Sequence, residues 1–155
     1  MVCHSAAMTG RLTRARRSLR AAIRAAAGAP RLFRAARQAG AARRGSLDAL
    51  ACSALVLFVV APRAAGVPGR QNAVRHFVWQ ALLTARHGEH VAEAMAAAQE
   101  RGSVQPLDSA TDRLNNGFGQ EYGATHAGDL SRPLSTAVRE LLRVGLEQWH
   151  AGELS

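Results

Sequence analysis

The chain has 155 residues, 48% of them hydrophobic and 20% charged, and a formal net charge of +9. That length fits one compact domain and excludes two ordinary ones. Two cysteines, Cys3 and Cys52, exclude a disulfide framework and leave the redox compartment open.

The charge is unevenly spread, and every one of the twenty basic residues is arginine. Residues 1–45 hold eleven arginines and no acid, whereas residues 46–155 hold nine arginines against eleven acids. The expected division is therefore a separable basic arm, 1–45, followed by a helical domain, 46–155. Within the arm, Arg11 to Ala27 is helix-compatible, Gly28 to Pro30 interrupts it, and Leu32 to Ala42 resumes for a turn or two over an apolar side made mostly of alanine. Such a stretch attracts nucleic acid or an anionic membrane nonspecifically. Phe33 is the one ring able to stack on a base, so sequence readout is not expected. The bland reading, which ranks first on composition, is a solvated tail or an overextended reading frame whose arginine and alanine reflect codon bias. No other partner is implied.

Ala49 to Pro62 is the single continuous apolar run. It is shorter than the roughly 18 to 20 residues that span a bilayer, which fits a buried core helix or the apolar segment of an export signal. Arg43-Arg44 ahead of it and Ala64-Ala65-Gly66 after it suit a signal; Asp48, the long leader and Arg63 oppose one. The cytoplasm is the favoured location on this reading, with export or anchoring through 49–62 as the alternative.

Val67-Pro68-Gly69 breaks the chain. Gln71 to His87 has helical periodicity, with Val74, Phe77, Val78, Ala81 and Ala85 on one side, and Glu89 to Glu100 continues as helix beyond Gly88. Arg101 to Leu107 is an expected loop. Asp108 is an expected N-cap for a helix to about Tyr122, Gly123 to Ser131 an expected loop, and Leu134 to Trp149 a last helix. No segment alternates with period two, so the fold class is all-α, with about five helices in the domain.

Two polar patterns share one spacing. Asn72, Arg75, His76 and Trp79 stand at i, i+3, i+4 and i+7, and Asp112, Asn115, Asn116 and Gly119 repeat the interval. On a helix that spacing forms a stripe. Trp79 argues that the first stripe is covered, since a large ring gains most when buried. Covering it also buries Arg75, which then needs a carboxylate, with Asp112 first and Glu100 second. Gly119 would let two helices approach closely.

These residues resemble a bacterial domain family of unknown function, found in secreted, wall-associated and toxin-like proteins. Its pattern is N-A-x-R-H-x-x-W, then H-E, then D-x-x-N-N-x-x-G. Asn72-Ala73-Val74-Arg75-His76-Phe77-Val78-Trp79 and Asp112-Arg113-Leu114-Asn115-Asn116-Gly117-Phe118-Gly119 match it, while Gln99-Glu100 stands where the family has H-E. Trp149 to Leu154 is similar to the family's end. The resemblance covers roughly Leu47 to Leu154, makes the apolar run the domain's first helix, and implies a shared site without a reaction.

Three readings of that site compete. As a structural or binding seam, which ranks first, the residues satisfy one another and fix helix register. As a hydrolase or toxin-like effector, His76 is the general acid or base, Asp112 or Glu100 orients it, and Asn72, Arg75, Asn115 and Asn116 bind an anionic or carbonyl group, with Trp79 and Gly119 as packing supports. As a metal site, His76, Glu100 and Asp112 would be ligands. HExxH and CxxC spacings are absent, so neither metal nor cofactor is expected. G-x-S-x-G and a phosphate-binding glycine loop after a strand are absent too. His87 and His90 are expected at the surface, and Cys52 as an inert buried thiol.

Overall fold

In the computed structural model, residues 27–101 and 108–155 are described, and these are helical with no strand among them. Residues 27–38 form α1. α2 (Arg43–Leu55) passes through a π-helical turn (Val56–Val60) into α3 (Ala61–Arg63). Then follow α4 (Arg70–His87), α5 (Glu89–Glu100), α6 (Asp108–Thr125), α7 (Ala127–Leu130) and α8 (Leu134–Ala151). The five long helices expected of the domain are α2, α4, α5, α6 and α8. All but the last residue of the helix expected over 11–27 and all but the first of the loop expected over 101–107 lie outside the described residues, as does any capping by the Asp108 side chain. The interruption expected at Gly28 to Pro30 is absent, since α1 runs through it.

α4 is the axis of the bundle. It packs against α2, α3, α5, α6, α7 and α8, and the nine consecutive residues His76 to Thr84 are all buried. A helix hydrophobic on one side only would expose a face; burial all round requires neighbours on every side. The apolar side expected from sequence meets α8, where Gly145 lets Phe77 and Val74 approach its backbone. Its polar side faces α6.

The apolar run lays one face on the core, while Leu47 just ahead of it and Phe58 on its other side are exposed. Ala49, Cys52, Val56 and Val60 are buried in the same hydrophobic cluster as Phe77 and Leu82, and Trp79 Nε1 donates to Ser53 Oγ at 2.9 Å. The helical stretch Arg43–Arg63 has the length and mean hydropathy, 1.8, of a membrane-spanning segment, yet one face of it is consumed by packing on α4. Pro62 explains the π-helical turn. A proline N cannot donate to the carbonyl four residues back, so widening the turn just before it sacrifices least; Ala61 N–H bonds Val56 O instead.

The arm expected to stand apart does not do so over residues 27–38. Leu32, Ala35 and Ala36 of α1 belong to the core cluster, and the boundary expected at residue 46 falls inside α2. The arginines of α1 hide this stripe: Arg31, Arg34 and Arg37 are exposed while the small residues between them pack inward. The loop expected at 123–131 is also shorter, because α6 continues to Thr125 and α7 takes up most of the remainder.

α4 and α6 run parallel in constant register, since Asn72 meets Asp112, His76 meets Asn116 and Gln80 meets Gln120, each pair 40 residues apart. Gly119 and Gly123 make the approach possible. A Cβ at Gly119 would collide with Phe77 O, and one at Gly123 with Ala81 O, both rigid backbone atoms.

Gly119→Ala and Gly123→Ala are each expected to destabilise the domain by about 1–3 kcal/mol through overpacking. Gly117→Ala, on the exposed side of α6 with nothing near its Cβ position, should stabilise by roughly 0.5–1 kcal/mol. Urea midpoints of the three variants test the asymmetry. By the same measurement, Leu32→Ala should cost about 2–3 kcal/mol, whereas a detached arm would give no change.

Candidate functional site

The sequence places a polar residue at every fourth position of α4: Asn72, His76, Gln80 and Thr84. Successive members are one helical turn apart, so they line the same side. On α6, Asp112, Asn116 and Gln120 do likewise. Where the glycines draw the two helices together, the stripes form a polar seam.

The outer end holds the charges. Asn72 Nδ2 donates to Asp112 Oδ1, while Arg75 Nη2 donates to Asn72 Oδ1 at 2.5 Å and approaches His76 Nε2 at 2.7 Å. His76 Nδ1 lies 2.9 Å from Asn116 Oδ1, and His76 Nε2 lies 3.3 Å from Asp112 Oδ2. Arginine only donates and carboxylate only accepts, so the Asn72 amide has one orientation and Nε2 must present its lone pair to Arg75. The proton is then on Nδ1, donated to Asn116. Among the described residues Arg75 does not bond a carboxylate directly, as its burial had suggested; an amide and an imidazole stand between it and Asp112.

His76 is only 3% exposed. Burial, and secondarily the Arg75 charge, hold its pKa well below the ordinary histidine value, at about 4, against the opposing pull of Asp112. Burial also lowers Arg75, with Asp112 restoring part of the shift. With the ring neutral, the seam contains one cation and one anion. Asn72, Arg75 and Asp112 are half-buried and form its solvent-facing mouth.

Three residues of the expected site go elsewhere. Asn115 faces away from His76 and bonds the backbone of Ser155, donating from Nδ2 to Ser155 O at 2.6 Å and accepting from Ser155 N at 3.2 Å. Glu100 pairs with Arg113 at 3.7 Å and is not brought into the hydrogen-bonded cluster. Trp79 packs toward α2, touching the site through an edge contact with the His76 ring, centroids 6.2 Å apart. His76, Glu100 and Asp112 do not converge as a metal-ligand set among the described residues.

Gln80 and Gln120 lie outside the expected set and extend the seam by one turn, with Gln120 Nε2 donating to Gln80 Oε1 at 2.8 Å. Their signal was available in sequence as the next i+4 step on both helices. Gln80 Nε2 and, one turn on, Thr84 Oγ1 are buried without a hydrogen-bond partner among the described residues. His87, expected at the surface, is instead half-buried against Asp48.

The fold and site define an all-α domain built around a neutral, buried polar seam between two parallel helices. Residues 61–144 match the family described as a domain of unknown function, DUF6973, and the chain belongs to that family. Neither a curated protein nor a solved structure matches the chain. The matched span runs from Ala61 to Val144, so it contains α4, α5 and α6 entire and both halves of the seam.

The depressed His76 pKa links stability to pH. The unfolded chain, with an ordinary histidine near 6.5, takes up this proton before the folded protein does. Stability from the neutral ring is therefore complete above about pH 6.5 and is lost as pH falls from there to about 4, by roughly 3 kcal/mol. His76→Gln should flatten that component, so urea midpoints at about pH 7.5 and about pH 4.5 should converge relative to wild type. An equally steep loss in the variant would assign the acid sensitivity to other groups.

Proposed function

We propose that this domain is a structural and binding module, in which the seam sets the register of α4 against α6 and its half-buried mouth is the binding end. The observation that carries the reading is the state of His76: buried, neutral at pH 7, and bonded through both nitrogens within the chain. A base so engaged has no site on its ring left for a substrate unless Arg75 moves. At the mouth, the Arg75 guanidinium beside the Asn72 amide suits a carboxylate, phosphate or carbonyl group of a partner. Arg31, Arg34, Arg37, Arg43 and Arg44 are exposed, which supports nonspecific contact of the basic N-terminal part with nucleic acid or an anionic membrane.

One observation favours a second reading, a hydrolase-like site in a secreted or toxin-like bacterial effector. A proton captured at Nε2 would face Asp112 Oδ2 at 3.3 Å, and Asp112 keeps some contact with solvent. The sequence of events would be loss of the Arg75 hydrogen bond, protonation of Nε2, and stabilisation of the imidazolium by Asp112.

His76→Gln and Asp112→Asn separate the two. For the structural and binding module, both lower the thermal midpoint, and any lytic, nuclease or growth-inhibiting activity of the intact protein follows the folded fraction. Variants that fold as wild type yet lose such activity by about 100-fold or more would establish acid–base chemistry instead.

A further inference from the structure

Away from the seam, three side chains of metal-ligating type converge where the start of α2 meets the end of α4. Asp48 and Cys52 are one helical turn apart on α2, and His87 is the last residue of α4. Their ligand atoms all lie within 4.8 Å of one another. His87 Nε2 is 3.0 Å from Asp48 Oδ2, and Cys52 Sγ is 3.9 Å from the same oxygen.

We propose that Asp48, Cys52 and His87 bind a divalent metal ion of borderline softness, zinc being the type, with water in a fourth position. Bonds of about 2.0–2.3 Å in tetrahedral geometry place ligand atoms roughly 3.4–3.6 Å apart. The observed 3.0 and 3.9 Å from Asp48 Oδ2 bracket that range, and the remaining separation, His87 to Cys52, is within 4.8 Å, so side-chain adjustment around the ion completes the set.

A second, independent feature points to a ligand. The His87 side chain is 10% exposed, and its buried Nε2 has Asp48 Oδ2 as its near polar neighbour at 3.0 Å, without well-aligned hydrogen-bond geometry among the described residues. A buried donor or acceptor left in this state is costly, and a cation between Nε2 and Oδ2 removes the cost. The mixed donor set of one thiolate, one imidazole and one carboxylate suits zinc or cobalt rather than magnesium or calcium, which prefer oxygen alone. The C-terminal end of α4 adds partial negative charge. Asp48 is 39% exposed and provides the entry side. Arg86 is the opposing charge, its Nε 3.2 Å from the same Asp48 Oδ2, so the ion must displace it from that oxygen. Binding displaces the thiol proton, which leaves to solvent.

The test uses the full chain, freed of metal with a chelator and titrated with Co²⁺. The expected result is one ion per chain, a thiolate-to-cobalt charge-transfer band in the near ultraviolet, displacement by Zn²⁺, and a thermal midpoint raised by Zn²⁺. Cys3→Ser should keep the band and Cys52→Ser should lose it. Asp48→Asn and His87→Gln should each weaken binding by about tenfold or more. Absence of saturable binding, binding without the charge-transfer band, or a band lost in Cys3→Ser overturns the site. Should Cys52→Ser fail to fold, the Cys3→Ser spectrum and the Zn²⁺ shift of its thermal midpoint decide the matter alone.

Discussion

The close parallel approach of α4 and α6 is the constraint on which the domain rests. Parallel helices with constant register need a chain that returns between them, and they need one surface small enough for backbone to meet backbone. Gly119 and Gly123 supply the second requirement against Phe77 and Ala81. Only at that separation can an asparagine side chain on α6 reach a histidine on α4 at 2.9 Å. The hydrogen bonds of the seam are thus a product of the packing, and they in turn penalise any slip: a shift by one residue would turn each polar group about 100° away from its partner.

That arrangement also governs the electrostatics. Taking an arginine out of water is unfavourable, and a carboxylate in contact is the usual remedy. Here the compensation is distributed through Asn72 and His76, and the imidazole remains neutral chiefly because it is buried, with the nearby guanidinium adding to the effect against the pull of the carboxylate. Charge is held at the mouth, where water still reaches, and the deeper part of the seam contains amides and a hydroxyl only. Register and charge balance are therefore set by the same few residues.

Much of this was legible in the sequence because helical spacing is a strong constraint. The repeated i, i+4 pattern identified Asn72, His76, Asp112 and Asn116 as neighbours, and the helix limits at Glu89 and Glu100 coincide with the observed ones. What spacing could not give is the direction of residues one step off the stripe. Asn115 is rotated from Asn116 by a single residue and meets the chain's last residue, a contact fixed by the course of α8. Glu100 meets Arg113 for a similar reason. Alanine disguised α1, whose inward residues are too small to stand out among arginines, and His87 looked solvated because its neighbour Asp48 lies 39 positions earlier in the chain.

The wrapping of α4 has an evolutionary consequence. From His76 to Thr84 there is no solvent-facing position, so each change alters a contact with α2, α6 or α8 or the core between them. Neutral drift has almost no room in that stretch, whereas α8, with Arg139, Glu140, Arg143 and Glu147 exposed, offers a free face along its whole length. Descendants of a common ancestor would come to differ mainly around this helix and hardly within it. A substitution in α4 would persist only beside a second one across the interface, and lineages would keep the seam as a unit or lose it as one.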